Sequence, residues 1–391
     1  MAKTRKLYDQ DAYQTEFDAV VESCVEAQEN GVTVYQVILD QTLFFPEEGG
    51  QSADQGLIEN IEVLDVQSKN EVIIHTLKNP LEQGKKVHGK VCWNHRFNNM
   101  QQHSGEHIFS GLVNQQYGYD NVGFHLSNQI VTLDFNGVLT YEQAAEIERK
   151  ANEVIISNLP IQVTFPSKEE LTTLTYRSKI EIEGQVRIVT IPGVDVCACC
   201  APHVKFTGEI GMLKLMSIQN YKGGVRISIL CGYRALEDYR EKVNVISQLS
   251  TELSSNQENL VEAVKRVKEV AQGLKQELTA AKKDYIEAKI EQIPQSQDNV
   301  FLFDNNLDAF TMRSAVNQMT EVHKGVCGIF SGTDEDGYQF IFGSKTEDTR
   351  KVMEGLKEHL SAKGGGSPAM VQGSLTAAKE VIMDTINRTL S

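Results

Sequence analysis

Two segments far apart in this chain carry side chains that can share one metal ion. The first is His103-Ser104-Gly105-Glu106-His107, with two imidazoles four residues apart. On a helix such a pair falls on one face, about 5–6 Å apart at Cβ, and can grip one cation. The second is Cys197-Ala198-Cys199-Cys200-Ala201-Pro202-His203, where Cys199 and His203 repeat the same spacing. Thiolate and imidazole both suit Zn2+. Pro202 lacks an amide donor and disfavours helix at Ala201, so this pair is expected on a turn or at a helix start. Each half alone is weak. Paired histidines are often surface or core residues, and CACC alone reads equally as a redox Cys-x-x-C or an inert cluster. Together they favour zinc held by His103, His107, His203 and one cysteine of the 197–200 cluster, Cys199 first.

A catalytic role is the next expectation. Closed structural sites usually draw their ligands from tight knuckles. Here one pair is expected on a helix and the other has spare cysteines, which leaves room for water or substrate. A zinc-bound water deprotonates near neutral pH and can attack an acyl carbon. Glu106 sits between the histidines as a candidate general base. Its ordinary alternative is to hold a ligand in place or to face solvent. HSGEH also matches the H-x-x-E-H of inverted zinc peptidases. Those need a distal glutamate as third ligand, where this chain offers a cysteine and a histidine, so a zinc metallopeptidase is the runner-up.

The 391 residues call for two to four domains, and 40% hydrophobic content provides for real cores. No apolar run approaches the roughly 20 residues that span a bilayer. The start, MAKTRKLYDQD, has no apolar stretch behind its basic residues and does not read as a secretory signal. A soluble, cytoplasmic protein without a membrane partner is expected, with its seven cysteines reduced. A net charge of −15 argues against a broad basic envelope for nucleic acid. Two local basic groups remain, Lys85, Lys86, Lys90 and Arg96, then Lys214, Lys222, Arg226 and Arg234. Their first reading is solvated surface.

The elements that must position these groups follow from the hydrophobic pattern. Residues 1–90 read as β-rich, with VTVYQVILDQTLFF, IEVLDVQ and EVIIHTL as strands of a small barrel or sandwich. Residues 91–235 read as mixed α/β. A helix is expected over His95–Leu112, with Phe97, Met100, Ile108 and Leu112 as its apolar positions. QIVTLDF, RIVTIPG, MLKLMSI and RISILCG are expected strands, and YEQAAEIERKANEVIIS a helix with Tyr141, Ala144, Ile147 and Ala151 on one face. Residues 236–294 carry a 3,4 alternation, including Val264, Val267, Leu274, Leu278 and Tyr285, that reads as a coiled-coil seam. The seam suits an antiparallel helical hairpin, a dimerising stalk or a linker packed on a neighbouring domain. Ser255 and Glu258 have capping-box spacing, so a new helix is expected there. Pro294 ends it. Residues 295–391 read as a small α/β domain with strands at VFLFDN, VCGIFSG and YQFIFGS, helices around Thr311–His323 and Asp348–Ala362, a glycine loop and a last helix. The fold class is therefore α+β and multidomain.

The pairing of H-x-x-x-H with a later C-x-x-x-H resembles the editing domain shared by alanyl- and threonyl-tRNA synthetases. FFPEEGGQSADQGLI (44–58) resembles the glycine-rich segment ahead of the alanyl editing site. CAPHVKFTGEIGMLKL followed by KGGVRI resembles the alanyl cysteine-histidine segment with its downstream arginine. KGGGSPAMVQGS resembles the glycine motif of the DHH-associated domain that ends alanyl-tRNA synthetase. Nearly the whole chain is covered, and it is identified as resembling the long form of the free-standing alanyl-tRNA editing proteins, the AlaX type.

That resemblance implies an N-terminal small β-barrel-like domain, an α/β zinc-binding editing domain, a helical coiled-coil hairpin and a C-terminal DHH-associated domain. It implies zinc at His103, His107, Cys199 and His203, and hydrolysis of the ester joining serine or glycine to tRNA(Ala). Two departures stand out. The synthetases usually carry threonine where Glu106 stands, and C-G-G-T-H where this chain has Cys199-Cys200-Ala201-Pro202-His203, so Cys200 competes with Cys199 as ligand. Sparing alanine requires a hydrogen bond to the seryl hydroxyl. Gln51, Ser52, His125 and Ser127 are candidates, with Gly49 and Gly50 as the tight turn that brings Gln51 near. Arg226 is a candidate for the phosphate of the terminal adenosine. Gly364, Gly365 and Gly366 are candidates for close approach of backbone to tRNA. The helical segment or the C-terminal domain would pair two subunits. A non-catalytic tRNA-binding protein with a structural zinc is the remaining alternative.

Overall fold

Period-two patterning in the N-terminal third buries alternate residues on one side of each strand. The computed structural model describes residues 3–29, 31–127, 130–178 and 184–391. It divides into two units, Met1–Ile246 and Ser247–Ser391. In the first unit, β1 (Arg5–Lys6) precedes β2 (Glu16–Glu29), β3 (Val32–Leu39), β4 (Gln41–Thr42), β5 (Gly56–Ile58), β6 (Ile61–Lys69), β7 (Val72–Leu77) and β8 (Lys86–Val91). Six of these close into a barrel in the order β2-β3-β7-β6-β5-β8. Its core takes Phe17 and Ala19, and Val37 and Leu39, each pair two residues apart, with Val87 and Val91 four apart on the same face of β8. The long connection from β4 to β5 carries the Gly49–Gly50 turn.

Next comes α1 (Trp93–Tyr117), then β9 (Asn121–Leu126), β10 (Val131–Phe135), α2 (Tyr141–Ile156), β11 (Gln162–Thr164), α3 (Lys168–Thr173), β12 (Ile188–Ile191), β13 (Asp195–Ala198), β14 (Leu213–Tyr221) and β15 (Gly224–Cys231). The first residue of the expected strand QIVTLDF, Gln129, lies outside the described residues. An antiparallel sheet runs β14-β15-β10-β9, and a smaller one β11-β12-β13. The α2 helix starts at a capping box of Thr140 and Gln143 and buries Ala144, Ile147, Ala151 and Ile155. Tyr141, expected on that stripe, is exposed at the first position of the helix, one turn before the buried stripe settles at Ala144.

The α1 helix is buried on nearly every side, although its middle is polar: Asn99, Gln101, Gln102, His103, Ser104, Glu106 and His107 are all buried. The burial is tolerable because the polar groups are paired. Gln102 exchanges hydrogen bonds with the backbone of Cys231, and Gln101 with Glu209 and Tyr233. Close approach also needs Gly105, where a Cβ would come within 2.3 Å of Cys231 Sγ.

The boundary between the units falls within α4 (Gly232–Glu252), which precedes α5 (Leu260–Glu291). The turn before α5 is capped by Asn256, whose side chain accepts from Asn259 N, one residue later than the Ser255 expectation. Ser255 Oγ instead donates to Asn256 O. Along α5 the expected seam is exposed at Val264, Val267, Leu274, Leu278 and Tyr285, while Ala263, Ile286 and Ile290 are buried. Ile286 and Ile290 join the core of the second unit, and that core decides which face of the last turns is covered.

The second unit has β16 (Val300–Asp304), α6 (Ala309–Val322), β17 (Cys327–Thr333), β18 (Gly337–Gly343), α7 (Arg350–Leu360), β19 (Lys363–Ser367), β20 (Met370–Leu375) and α8 (Lys379–Leu390). The sheet runs β16-β17-β18-β20-β19. Its alternating side chains feed two cores: Ile329 and Ile341 pack with α6, and Phe330, Phe340 and Phe342 with α7 and α8. The expected glycine loop is a strand. β19 pairs with β20, and Gly364 and Gly366 come so close to the partner backbone that a Cβ on either would lie 2.2 Å from a carbonyl oxygen.

Candidate metal centre

Helix α1 places His103 and His107 one turn apart, and the irregular segment after β13 brings Cys199 and His203 to them. One ligand atom from each of the four lies within 4.8 Å of the others, and all but Cys199 are fully buried. Cys199 Sγ is 3.5 Å from His103 Nε2 and 3.4 Å from His203 Nε2. Cys200 is not in this set; its sulfur lies on the Gly49 side, 3.4 Å from where a Cβ on that glycine would stand.

Each imidazole is anchored at its other nitrogen. His103 Nδ1 lies 2.9 Å from Gln51 Oε1, His107 Nδ1 2.8 Å from Asp195 Oδ2, and His203 Nδ1 3.0 Å from Ser104 Oγ. Such outer partners keep the proton on Nδ1 and turn Nε2 toward a shared cation. The donor set, one thiol and three oriented imidazoles, suits a metal ion that favours sulfur and nitrogen ligands.

Burial by itself would raise the Cys199 thiol, but the His103 and His203 imidazoles facing it hold it well below the ordinary thiol range. For His107, burial opposes protonation, yet Asp195 and Cys199 outweigh it and hold its pKa well above the usual value. Burial pushes His203 down to about 3. Asp195 is itself clamped by Arg177, with Nε to Oδ1 and Nη2 to Oδ2 both at 2.8 Å. Neither Asp195 nor Arg177 was singled out in the sequence. Asp195 lies four residues before Cys199, a spacing that means little until β13 turns it toward α1.

Glu106 is buried beside the set. Its Oε1 accepts from Ser110 Oγ at 2.7 Å and Asn121 Nδ2 at 2.6 Å, and its Oε2 is 3.8 Å from His107 Nε2. A cavity of about 540 Å3 reaches this side, bordered by Asn114, Asp120, Asn121, Tyr176, Arg177 and Asp195.

The glycine turn faces the other side. Glu48 and Gln51 exchange backbone hydrogen bonds across Gly49 and Gly50, whose φ values are +63° and +81°. At Gly50 a Cβ would also stand 2.4 Å from Phe124 O, so no other residue fits. Gly50 O accepts from Leu126 N at 2.7 Å, which ties the turn to β9. The segment is fixed from below by Asp54, which accepts from Phe45 N and pairs with the fully buried Arg96 of α1. Gly49, Gly50, Ser52, His125 and Ser127 border a cavity of about 470 Å3. Thus His125 and the turn come together. Arg226 does not join them. It is held bidentate by Asp134, at 2.6 and 2.7 Å, with its guanidinium over the Tyr221 ring. Gly364, Gly365 and Gly366 belong to β19 of the second unit.

The family model for class II (A) tRNA synthetases matches residues 2–95, and the model for the threonyl and alanyl tRNA synthetase second additional domain matches residues 186–228. The chain is 32% identical to alanyl-tRNA editing protein Aarsd1-B of Xenopus laevis over 278 residues, 68% of this chain and 67% of that protein. It belongs to the family of alanyl-tRNA editing proteins. Alanyl-tRNA editing protein AlaX-L of Pyrococcus horikoshii aligns over 97% of this chain and 96% of its own length at 27% identity. The alanine–tRNA ligase of Ignicoccus hospitalis is 33% identical over 72% of this chain, which covers 32% of that enzyme. Among the described residues no helix is long and apolar enough to cross a membrane.

Proposed function

We propose that this member of the alanyl-tRNA editing family is a zinc-dependent deacylase acting in trans on tRNA(Ala) mischarged with serine, and on the glycyl form. The observation that carries the reading is the convergence of His103, His107, Cys199 and His203 beside a buried carboxylate, Glu106.

Hydrolysis of the ester forms a bond from water oxygen to the carbonyl carbon and breaks the bond from that carbon to the ribose oxygen. One water proton ends on the ribose hydroxyl. A zinc ion in the site would supply Lewis acidity, worth several kcal/mol to a developing negative charge. The chain's own contribution is orientation and proton transfer. Ser110 and Asn121 hold the Glu106 carboxylate in place through Oε1, and with Oε2 3.8 Å from His107 Nε2 this carboxylate is the proposed acceptor of the water proton. The ester is already activated, so holding its carbonyl beside that water supplies much of the rate. Serine is larger than alanine, and a pocket that spares alanine must reward the hydroxyl with a hydrogen bond. Ser52, His125 and Ser127, which border the cavity of about 470 Å3, are the residues proposed to make that bond. In the second unit, Lys363–Ser367 presents an exposed glycine-rich edge strand, proposed to hold the tRNA body through its backbone.

The test is a deacylation assay with seryl-, glycyl- and alanyl-tRNA(Ala) and seryl-tRNA(Thr), with and without a chelator. Rapid, chelator-sensitive release from seryl-tRNA(Ala) with alanyl-tRNA(Ala) spared is expected. Cleavage of peptides by the protein, with all four tRNA esters intact, would replace this reading with a metallopeptidase.

A further inference from the structure

Three of the seven buried side-chain polar atoms that lack a hydrogen-bond partner among the described residues fall within five consecutive positions: Glu48 Oε2, Gln51 Nε2 and Ser52 Oγ. Buried polar groups are nearly always paired, so three unpaired on a single turn are not an incidental feature of packing. They flank Gly49 and Gly50, and Glu48 and Ser52 border the cavity of about 470 Å3.

The orientation of the Gln51 amide follows from the metal centre. His103 must present a bare Nε2 to bind a cation, so its Nδ1 carries the proton. That proton needs an acceptor, which makes the group 2.9 Å away the amide oxygen of Gln51. The NH2 end of a side chain with 0% exposure is then left with donors and nothing to receive them. Glu48 supplies the reverse, a carboxylate oxygen that accepts and receives nothing. Ser52 Oγ can do either. The complementary ligand has a cationic donor, an oxygen acceptor and, next to them, a small polar group. An α-amino acid ester has these in one compact unit: ammonium, carbonyl and the seryl side chain.

We propose that Glu48 is the residue that selects for a free amine, taking the α-ammonium of the aminoacyl group on its unpaired Oε2, while Gln51 Nε2 donates to the ester carbonyl. This rests on the deacylase reading above. Gln51 then has two duties: Oε1 orients His103, and Nε2 donates to the carbonyl oxygen as negative charge develops on it. Because Glu48 requires a free ammonium, esters whose amine is acylated, such as peptidyl-tRNA, are rejected at this point.

The experiment compares seryl-tRNA(Ala) with N-acetylseryl-tRNA(Ala) on the wild-type full chain, Glu48→Gln and Gln51→Glu, with bound metal measured for each. Wild type should favour the free amine by about ten- to a hundredfold in kcat/KM, the worth of one charged hydrogen bond. Glu48→Gln should lose most of that preference, by weaker use of the free-amine substrate. Gln51→Glu keeps an acceptor for His103 and removes the donor, so metal content should stay at the wild-type level while kcat falls about a hundredfold. Equal use of both esters by wild type overturns the proposal without recourse to any variant. So does a Glu48→Gln protein that keeps the full preference, or a Gln51→Glu protein with wild-type kcat. Failure of wild type to hydrolyse either ester would instead strike the deacylase reading itself.

Discussion

Replacing Asp195 by asparagine tests whether the outer hydrogen bonds build the metal centre. Asp195 accepts from His107 Nδ1 and from two nitrogens of Arg177, all at 2.8 Å, with its side chain 2% exposed and that of Arg177 15%. Asparagine has one acceptor oxygen, so its NH2 must face a donor on one side. Removing one partner of a buried ion pair leaves the other charge uncompensated, at about 3–5 kcal/mol. At about 2–4 °C per kcal/mol for a domain of this size, the metal-free protein should lose at least about 6 °C in Tm. A freed His107 ring should also weaken metal binding about 10- to 100-fold, which removes a further 1.4–2.7 kcal/mol or so of metal-linked stability. Competition with a chromophoric zinc chelator reads the affinity, and thermal unfolding with and without metal reads the two stability terms. A second change, Arg177→Gln in the same protein, removes the stranded charge. It should restore most of the metal-free stability and leave metal binding weak. Asp195→Asn protein that binds zinc within twofold of wild type and melts at the same temperature would refute the reasoning.

Glu106→Gln should keep stoichiometric metal and lower kcat on seryl-tRNA(Ala) by about 10²–10⁴, read by single-turnover deacylation. Gly50→Ala meets both a left-handed φ of +81° and a carbonyl oxygen 2.4 Å from its new Cβ; the turn should shift, costing about 1–3 kcal/mol and raising KM. Gly365 has open space around its Cβ position, so Gly365→Asp should fold normally; added charge on the edge strand should raise KM for tRNA and spare kcat, as measured against a minimal aminoacyl-helix substrate. His75, buried in the barrel between Thr42 Oγ1 and Val37 O, has its pKa lowered by burial from 6.5 to about 4. The unfolded chain therefore takes the proton first as pH falls. The contribution of His75 is complete above its unfolded value and is lost on acidification from there to about pH 4, about 3 kcal/mol in all. Chemical denaturation across that window should show the loss, and His75→Gln should flatten it.

Much of the organisation was legible in the residues because it is written in local periodicity. Alternation marked the barrel strands, the 3.6-residue stripe marked α2, and the matched spacings of four marked His103, His107, Cys199 and His203. Spacing on a helix or a tight segment survives folding, so ligand pairs can be read before any contact is known. Three things could not be read that way. The polar run Asn98–His107 looks solvent-facing, and its burial depends on backbone groups of Glu209, Cys231 and Tyr233 more than a hundred residues away. The exposed row of α5 and the covered Ile286 and Ile290 are equally apolar, and only the core of the second unit selects between them. Arg226 resembles a phosphate ligand until β10 sets Asp134 opposite it in register. The sequence by itself thus determined which residue types could hold a metal, and that they come in two pairs. The tertiary structure alone decided which partners hold those residues in place, Gln51, Ser104 and Asp195, because a hydrogen bond across the fold depends on where distant backbones meet and leaves no period in the chain.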